Sequence, residues 1–305
     1  MNKEINFSIT AVIYSSKEST WNVLLSGQLY QNVWGAKLKA TWEPGTSIEF
    51  NGVWENVEYT DRGVVLARKE NHFLRYSYWS SFWGAVDSPD EYCFIEYSIN
   101  ALDSFSCELT ITQNGFRDEK HYSDTVALWK NTLDVIKSDS EKIDLSAHCN
   151  AVFNNLLFTF DSISEESYNK PVSKGWNIAQ VVEHIILGNS GLRQFLTESS
   201  SDSLNPYDLN VQSIRSMMLN TTDKLRSLDI LTPPFRKYNK EHHRDLLLKI
   251  QMEINDCVQT LDHRSKCGFE MAPFGIMSIF EWLNFSVYHI SRHAKQIEAI
   301  RRTIL

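Results

Sequence analysis

The sequence predicts a two-domain protein, in which an α+β domain with antiparallel strands precedes an all-α bundle. In the first half of the chain, apolar residues occupy every second position of several segments, which is typical of strands with one buried face. In the second half this alternation is absent, and long segments with helical periodicity are separated by loops that contain proline. Residues 137–142 are all polar and predict a linker, so we place the domains at residues 1–138 and 143–305.

Composition and charge exclude several classes of protein. The 305 residues include 30 Lys and Arg against 38 Asp and Glu, a formal net charge of −8, which predicts that no nucleic acid is a partner. No run of about 18 apolar residues is present, and the N-terminal segment lacks the apolar core of a signal peptide. We therefore expect a cytoplasmic protein with no membrane partner. The five scattered cysteines form no CxxC pair, which predicts free thiols in a reducing compartment.

The first domain is predicted to consist of a strand, a short helix, several antiparallel strands and a long helix, in this order. A capping box of Ser15 and Glu18 predicts the start of a short helix. A longer helix is predicted to begin near Ser123, because apolar residues from Val126 to Ile136 follow a 3, 4, 3 spacing. The predicted strands are residues 5–13, 93–99 and 105–111, with further strand-like segments at 47–59 and 63–79.

The second domain is predicted to be an antiparallel helical bundle. Its breaks coincide with Pro171, Pro206, Pro233, Pro234 and Pro273, which end helices or bend the chain. The predicted helices are residues 145–161, 177–198, 209–228, 241–262 and 277–303.

Three of the nine histidines suggest a metal site. His289 and His293 are four residues apart on the last predicted helix, so both imidazoles lie on one face, about 6 Å apart along the axis. This face also carries apolar residues, and His184 borders the apolar side of an earlier helix. Buried imidazoles without partners are costly, and a shared cation removes that cost. At this level ordinary helix packing remains the alternative interpretation.

The second half of the chain resembles the DinB-like superfamily of four-helix bundles, which have an up-down-down-up arrangement. The segment Gly175-Trp-Asn-Ile-Ala-Gln-Val-Val-Glu-His184 is similar to the motif of its second helix. The last helix is similar through Phe274-Gly, Glu281-Trp-Leu, His289-Ile-Ser-Arg-His293 and Lys295-Gln-Ile297. The resemblance covers residues 145–305 and implies that His184, His289 and His293 are ligands of one metal ion.

Such a ligand set has defined chemical consequences. Three imidazoles leave coordination positions open, as in catalytic rather than structural sites. Imidazole suits several metals, so we expect a divalent ion such as zinc, nickel or iron without choosing among them. Some members of the superfamily resemble transferases that use bacillithiol or related low-molecular-weight thiols. The resemblance therefore implies a metal-dependent thiol S-transferase or a hydrolase, although the sequence assigns no catalytic residue.

The first domain resembles the SRPBCC (START-like) superfamily, specifically the homologues of the activator of the heat-shock-protein-90 ATPase. The similar segments include Thr20-Trp-Asn-Val-Leu24, Trp42-Glu-Pro-Gly45 and Leu109-Thr-Ile-Thr-Gln-Asn-Gly-Phe116. The resemblance covers residues 5–137 and implies a helix-grip fold, in which a curved antiparallel sheet wraps a long helix around a cavity. Its strands supply many aromatic residues, and we expect a pocket for a small apolar ligand, lined by Trp34, Trp42, Tyr78 and Trp83. A packed core without a ligand is the alternative.

Two functions remain open at this stage. The first is an enzyme whose chemistry takes place at the three histidines, with a small apolar molecule or a low-molecular-weight thiol as partner. The second is a non-catalytic ligand-binding or chaperone-associated stress-response protein with a structural metal.

A homodimer is also expected. His242 and His243 are predicted to be exposed in the first turn of a helix, and Glu183 receives no assigned role.

Overall fold

The computed structural model describes residues 2–54, 56–198, 200–201, 206–222 and 228–304. The chain divides into two compact units, Met1–Asp144 and Leu145–Leu305. Within the described residues, no helix is long and apolar enough to cross a membrane. All five cysteines are buried free thiols.

The first unit is built on one antiparallel sheet of seven described strands in the order β1-β7-β6-β5-β4-β3-β2. Buried and less buried residues alternate along β6 as far as Asn100 and along β7 as far as Gly115, as the period-2 pattern predicts. The strands are β1 (Asn2–Ile13), β2 (Ala36–Lys39), β3 (Ser47–Trp54), β4 (Val57–Lys69), β5 (Phe73–Trp79), β6 (Cys93–Ala101) and β7 (Cys107–Phe116).

Three helices accompany this sheet: α1 (Lys17–Leu25), α2 (Gly27–Trp34) and α3 (Glu119–Asp161). The sequence misplaces the first cap, because Ser16 rather than Ser15 accepts a hydrogen bond from the Ser19 amide. Trp129, Leu133 and Ile136 of α3 are buried in the core of the sheet, as their spacing predicts. The α+β helix-grip architecture is therefore confirmed for the first unit.

The predicted linker at residues 137–142 is not a break in the chain, because it lies inside the 43-residue helix α3. Three of its polar residues, Lys137, Ser140 and Glu141, are buried. The Lys137 ammonium lies 2.6 Å from the Glu141 carboxylate, which also accepts a hydrogen bond from the Tyr14 amide. The boundary between the two units falls within this helix, after Asp144.

The second unit is helical, as predicted. The C-terminal half of α3 and the later helix α8 are antiparallel, because Ser146 pairs with Gln259 while Asp161 pairs with Arg244. Helix α5 packs against both α8 and α9. The helices are α4 (Glu165–Tyr168), α5 (Ile178–Asn189), α6 (Leu192–Thr197), α7 (Val211–Leu219), α8 (Lys240–Thr260) and α9 (Ile279–Ile304).

Two of the predicted helices in this unit differ from the structure. The predicted helix 177–198 is divided, because Gly191 adopts a left-handed φ of 74° that a continuous helix does not contain. The predicted helix 209–228 ends at Leu219, and its residues 223–227 lie outside the described residues. A small three-stranded sheet was not predicted; it consists of β8 (Ser200–Ser201), β9 (Lys266–Met271) and β10 (Gly275–Ser278).

We expect the two units to fold independently, with the cut placed after Asp144 rather than after residue 138. Fragment 1–144 should melt at a higher temperature than fragment 1–138. The longer fragment keeps Glu141, and it keeps Asp144, whose carboxylate accepts hydrogen bonds from the Ser16 amide and the Ser19 hydroxyl. Thermal unfolding followed by circular dichroism measures the difference. Equal melting temperatures would contradict this role of the two carboxylates, and insolubility of both 1–144 and 145–305 would contradict the two-domain division.

Candidate metal centre and ligand cavity

Two capping interactions fix where the histidine-bearing helices begin. Asn177 accepts a hydrogen bond from the Gln180 amide, and the Gln180 side chain accepts one from the Asn177 amide, so α5 begins at Ile178 with His184 in its second turn. Ser278 and Glu281 form the same reciprocal pair at the start of α9. The two caps set the register that determines which faces of α5 and α9 carry the histidines.

The structure brings the three histidines named by the sequence analysis together. Nε2 of His184 and Nε2 of His293 each lie 3.1 Å from Nε2 of His289. One ligand atom from each ring lies within 4.8 Å of the others, and within the described residues no fourth His, Cys, Asp or Glu belongs to the group. His184 is only 4% exposed, whereas His289 is partly exposed.

Hydrogen bonds at the opposite ring nitrogens determine how two of these imidazoles are oriented. His184 Nδ1 lies 2.8 Å from the carbonyl oxygen of Leu231, and His293 Nδ1 lies 2.8 Å from Oε1 of Gln296. Each of these oxygens accepts a hydrogen bond from Nδ1–H, so both Nε2 atoms direct a lone pair towards His289. The neutral tautomer with a free Nε2 is the form that binds a metal ion.

The surroundings favour the neutral form of all three rings. Burial lowers the pKa of His184. Burial, together with the neighbouring His293 and His184, holds the pKa of His289 well below its usual value. Burial and the nearby His184 lower the pKa of His293 to about 4. At neutral pH the group therefore presents unprotonated nitrogens.

The donor set fits a metal ion. Two Nε2 lone pairs face the Nε2 of His289, which has at most one proton, so one lone pair lacks a donor if no cation is bound. Nitrogens at 2.0–2.1 Å from a tetrahedral ion would lie about 3.3 Å from each other, close to the observed separations of 3.1 Å. A divalent ion therefore fits the separations between the Nε2 atoms and would bind the lone pair that has no hydrogen-bond donor.

Gln296 offers a test of this orientation. We expect Gln296→Leu to weaken divalent metal binding by about 10–100-fold, because His293 loses the acceptor that fixes its tautomer. Competition with a chromophoric chelator measures the affinity. Lys295→Ala, at the adjacent exposed position, is the matched control and should bind as the unmodified protein does. Equal affinity of Gln296→Leu and Lys295→Ala would contradict an orienting role for Gln296.

Glu183 and His243 form a second polar group on α5 and α8. The sequence analysis is wrong about His243, which is buried, and correct about the exposed His242. The Glu183 carboxylate lies 3.1 Å from His243 Nε2 and 3.1 Å from an Arg236 guanidinium nitrogen, while His243 Nδ1 bonds the Tyr168 hydroxyl. These contacts account for Glu183, which points away from the three histidines.

The first unit contains a cavity of about 910 Å³ between the sheet and α3. Three of the aromatic residues named by the sequence analysis line it, namely Trp34, Tyr78 and Trp83. Trp42 is not among the lining residues; it is buried in the core, and its indole nitrogen donates to the Leu25 carbonyl. Trp42 therefore contributes to packing.

Two buried polar side chains of this cavity were missed by the sequence analysis. Gln113 is 3% exposed, and its Oε1 accepts a hydrogen bond from the Trp129 indole, so its Nε2 is left as a donor. Asp61 is 4% exposed and accepts hydrogen bonds from Tyr78 and Ser80. Burial raises the pKa of Asp61, while these hydrogen bonds oppose the rise.

A signal for these residues was present in the alternation of the strands. Gln113 continues the inward row that contains Leu109 and Ile111, and Asp61 shares the inward row of β4 with Val65. A polar residue at a core-facing position violates the binary pattern, and such violations are expected at functional sites. By contrast, no sequence pattern pointed to the Leu231 carbonyl beside His184.

Comparisons with known proteins identify both halves. Residues 15–139 match the family model "Activator of Hsp90 ATPase homolog 1-like protein", and residues 150–297 match the DinB superfamily. The two matches follow one another in this order along the chain, which confirms both resemblances. No curated protein is significantly similar in sequence.

Three similar solved structures each cover less than half of this chain. A solution structure from Cytophaga hutchinsonii is 25% identical, covers 45% of this chain and 94% of its own, and has a TM-score of 0.40. An HSP90 activator from Plasmodium falciparum is 15% identical over 36% of this chain and 72% of its own, with a TM-score of 0.30. The Aha1 dimer from Colwellia psychrerythraea is 13% identical over 45% of this chain and 96% of its own, with a TM-score of 0.37.

Proposed function

We propose that the second domain binds one divalent metal ion through His184, His289 and His293. The observation that carries this proposal is the convergence of three Nε2 atoms, two of which have their tautomers fixed by Leu231 and Gln296. Zinc, nickel and iron all fit a set of imidazole ligands.

The primary test is the metal content of the full chain. Protein purified without chelator and without a histidine tag should contain about one zinc, nickel or iron ion per chain, measured by plasma mass spectrometry. Protein that remains metal-free and takes up none of the three ions on titration would overturn the proposal.

We further propose that this centre is catalytic and supports transfer or hydrolysis with a thiol or water nucleophile. A divalent ion bound here would supply a Lewis acid that favours the deprotonated form of such a nucleophile. Three protein ligands leave room for a nucleophile. Access is favoured beside His289, because this residue is partly exposed and lies next to the exposed Gly188, which has no side chain.

A spectroscopic experiment separates this proposal from a structural metal. With Co²⁺ as a replacement ion, the visible spectrum should change when a low-molecular-weight thiol is added, because the thiolate would enter an open position. An unchanged spectrum would favour a closed, structural site and a non-catalytic protein.

For the first domain we propose a binding site for a small molecule with an apolar body. The 910 Å³ cavity is in the range of ligand pockets, and Trp34, Tyr78 and Trp83 supply apolar surface. Gln113 lines this cavity with its Oε1 bonded to the Trp129 indole, so its Nε2 is available to donate to a ligand that also carries polar groups. A homodimer remains an expectation, and light scattering of the full chain tests it.

A further inference from the structure

The cavity of the first domain is lined by a buried carboxyl group that has no cationic partner among the described residues. Asp61 is buried and its carboxylate accepts hydrogen bonds from the Tyr78 hydroxyl at 2.5 Å, the Ser80 hydroxyl at 2.8 Å and the Ser81 amide at 3.1 Å. All of these donors are uncharged. Within the described part of the chain, Asp61 forms no ion pair, although a buried carboxylate is costly unless a cation accompanies it.

Aromatic rings lie directly beside this carboxylate. The Tyr78 ring, whose hydroxyl bonds Asp61, has its centroid 6.1 Å from that of Trp34 and 5.7 Å from that of Trp83. Tyr59 also lines the cavity, and its own hydroxyl is engaged by the Trp34 carbonyl. We call Trp34, Tyr59, Tyr78 and Trp83 the aromatic wall. Faces of Trp and Tyr rings attract cations, most strongly where water is excluded.

The basic residues that line the cavity have other partners. The Arg117 guanidinium donates to the Trp83 carbonyl, and the exposed Lys120 ammonium lies 2.6 Å from the Asp124 carboxylate. Neither residue forms an ion pair with Asp61. Arg117 and Lys120 are less buried than Asp61, so the buried charged group of the cavity is the Asp61 carboxyl.

From these contacts we infer that the cavity binds an organic cation, an amine with an apolar body whose ammonium group contacts Asp61 and the aromatic wall. The ammonium would offset the buried carboxylate, and the apolar body would occupy the remaining surface of the pocket. This inference rests on the proposed ligand-binding function of the first domain and adds the charge class of the ligand.

Three probes with one apolar body test the inference on the full chain. They are 1-naphthylmethylamine, which is a cation at neutral pH, the neutral 1-naphthylmethanol and the anionic 1-naphthoate. Isothermal titration calorimetry should show that the amine binds about tenfold or more tighter than the alcohol, and that the anion binds weakest. Asp61→Asn should abolish the preference for the amine while alcohol binding changes by less than about twofold.

The outcomes distinguish this inference from the function on which it rests. If the alcohol or 1-naphthoate binds as tightly as the amine, or if the preference survives in Asp61→Asn, the inference is overturned while ligand binding stands. If none of the three probes binds at about 1 mM, the ligand-binding function itself is contradicted. If Asp61→Asn does not fold, the three probes on the unmodified chain and the variant Trp83→Leu still test the inference. Trp83→Leu should weaken binding of the amine more than binding of the alcohol.

Discussion

His289→Ala is expected to lose the divalent ion and to become insensitive to chelator. The Nε2 of His289 is the atom that both other histidines approach at 3.1 Å, and its removal leaves two ligands, too few to hold the ion tightly. An ion that binds only the folded state at about 100 times its Kd stabilises that state by about 2.7 kcal/mol. Metal content and melting temperature, each measured with and without chelator, reveal the loss.

The comparison with chelator separates metal binding from packing. The unmodified protein should melt at a lower temperature when chelator is added, whereas the melting temperature of His289→Ala should not change. His242→Ala, at an exposed position of α8, is the matched control and should behave as the unmodified protein does. If chelator lowers the melting temperature of His289→Ala as much as that of the unmodified chain, His289 is not a ligand and the three histidines are ordinary helix packing.

Glu141→Ala should destabilise the first domain by about 3–5 kcal/mol, because it leaves a buried charge without its partner. The Glu141 side chain is fully buried, and Lys137 beside it is nearly so. The substitution would remove the carboxylate beside the Lys137 ammonium and would also remove the acceptor of the Tyr14 amide. Urea denaturation of fragment 1–144 measures the change in the free energy of unfolding.

A double variant shows whether the remaining charge of Lys137 causes the loss of stability in Glu141→Ala. Lys137→Met combined with Glu141→Gln removes both charges but keeps a side-chain oxygen for Tyr14, so it should be less destabilising than Glu141→Ala alone. Lys120→Ala, which breaks an exposed pair of the same i,i+4 spacing, should change stability little. A larger loss in the double variant than in Glu141→Ala would contradict the explanation.

Local patterns were sufficient for most of the first domain. Alternating apolar residues predicted β6 and β7, since a strand with one buried face needs only its own sequence to display that period. They did not predict α2 or β2, which are only eight and four residues long, too short for a clear period. The start of α3 was placed four residues late, although Asp118 caps it by accepting a hydrogen bond from the His121 amide.

The metal centre was predicted in part by helix geometry and in part by resemblance. The i,i+4 spacing of His289 and His293 places both rings on one face of α9 whatever surrounds the helix. The third ligand, His184, lies 105 residues earlier, and no local pattern relates it to the other two. The motif resemblance supplied this position, and the structure shows the rings in contact.

The sequence by itself determined the two-domain order, the strand and helix classes and the spacing of the histidine pair, because these depend on local periodicity. The tertiary structure alone decided that polar residues of the predicted linker are buried. Lys137 and Glu141 were predicted to be linker residues, yet partners distant in the chain bury both. The cost of burying a charge depends on its neighbours in space, and those neighbours are set only when the chain has folded.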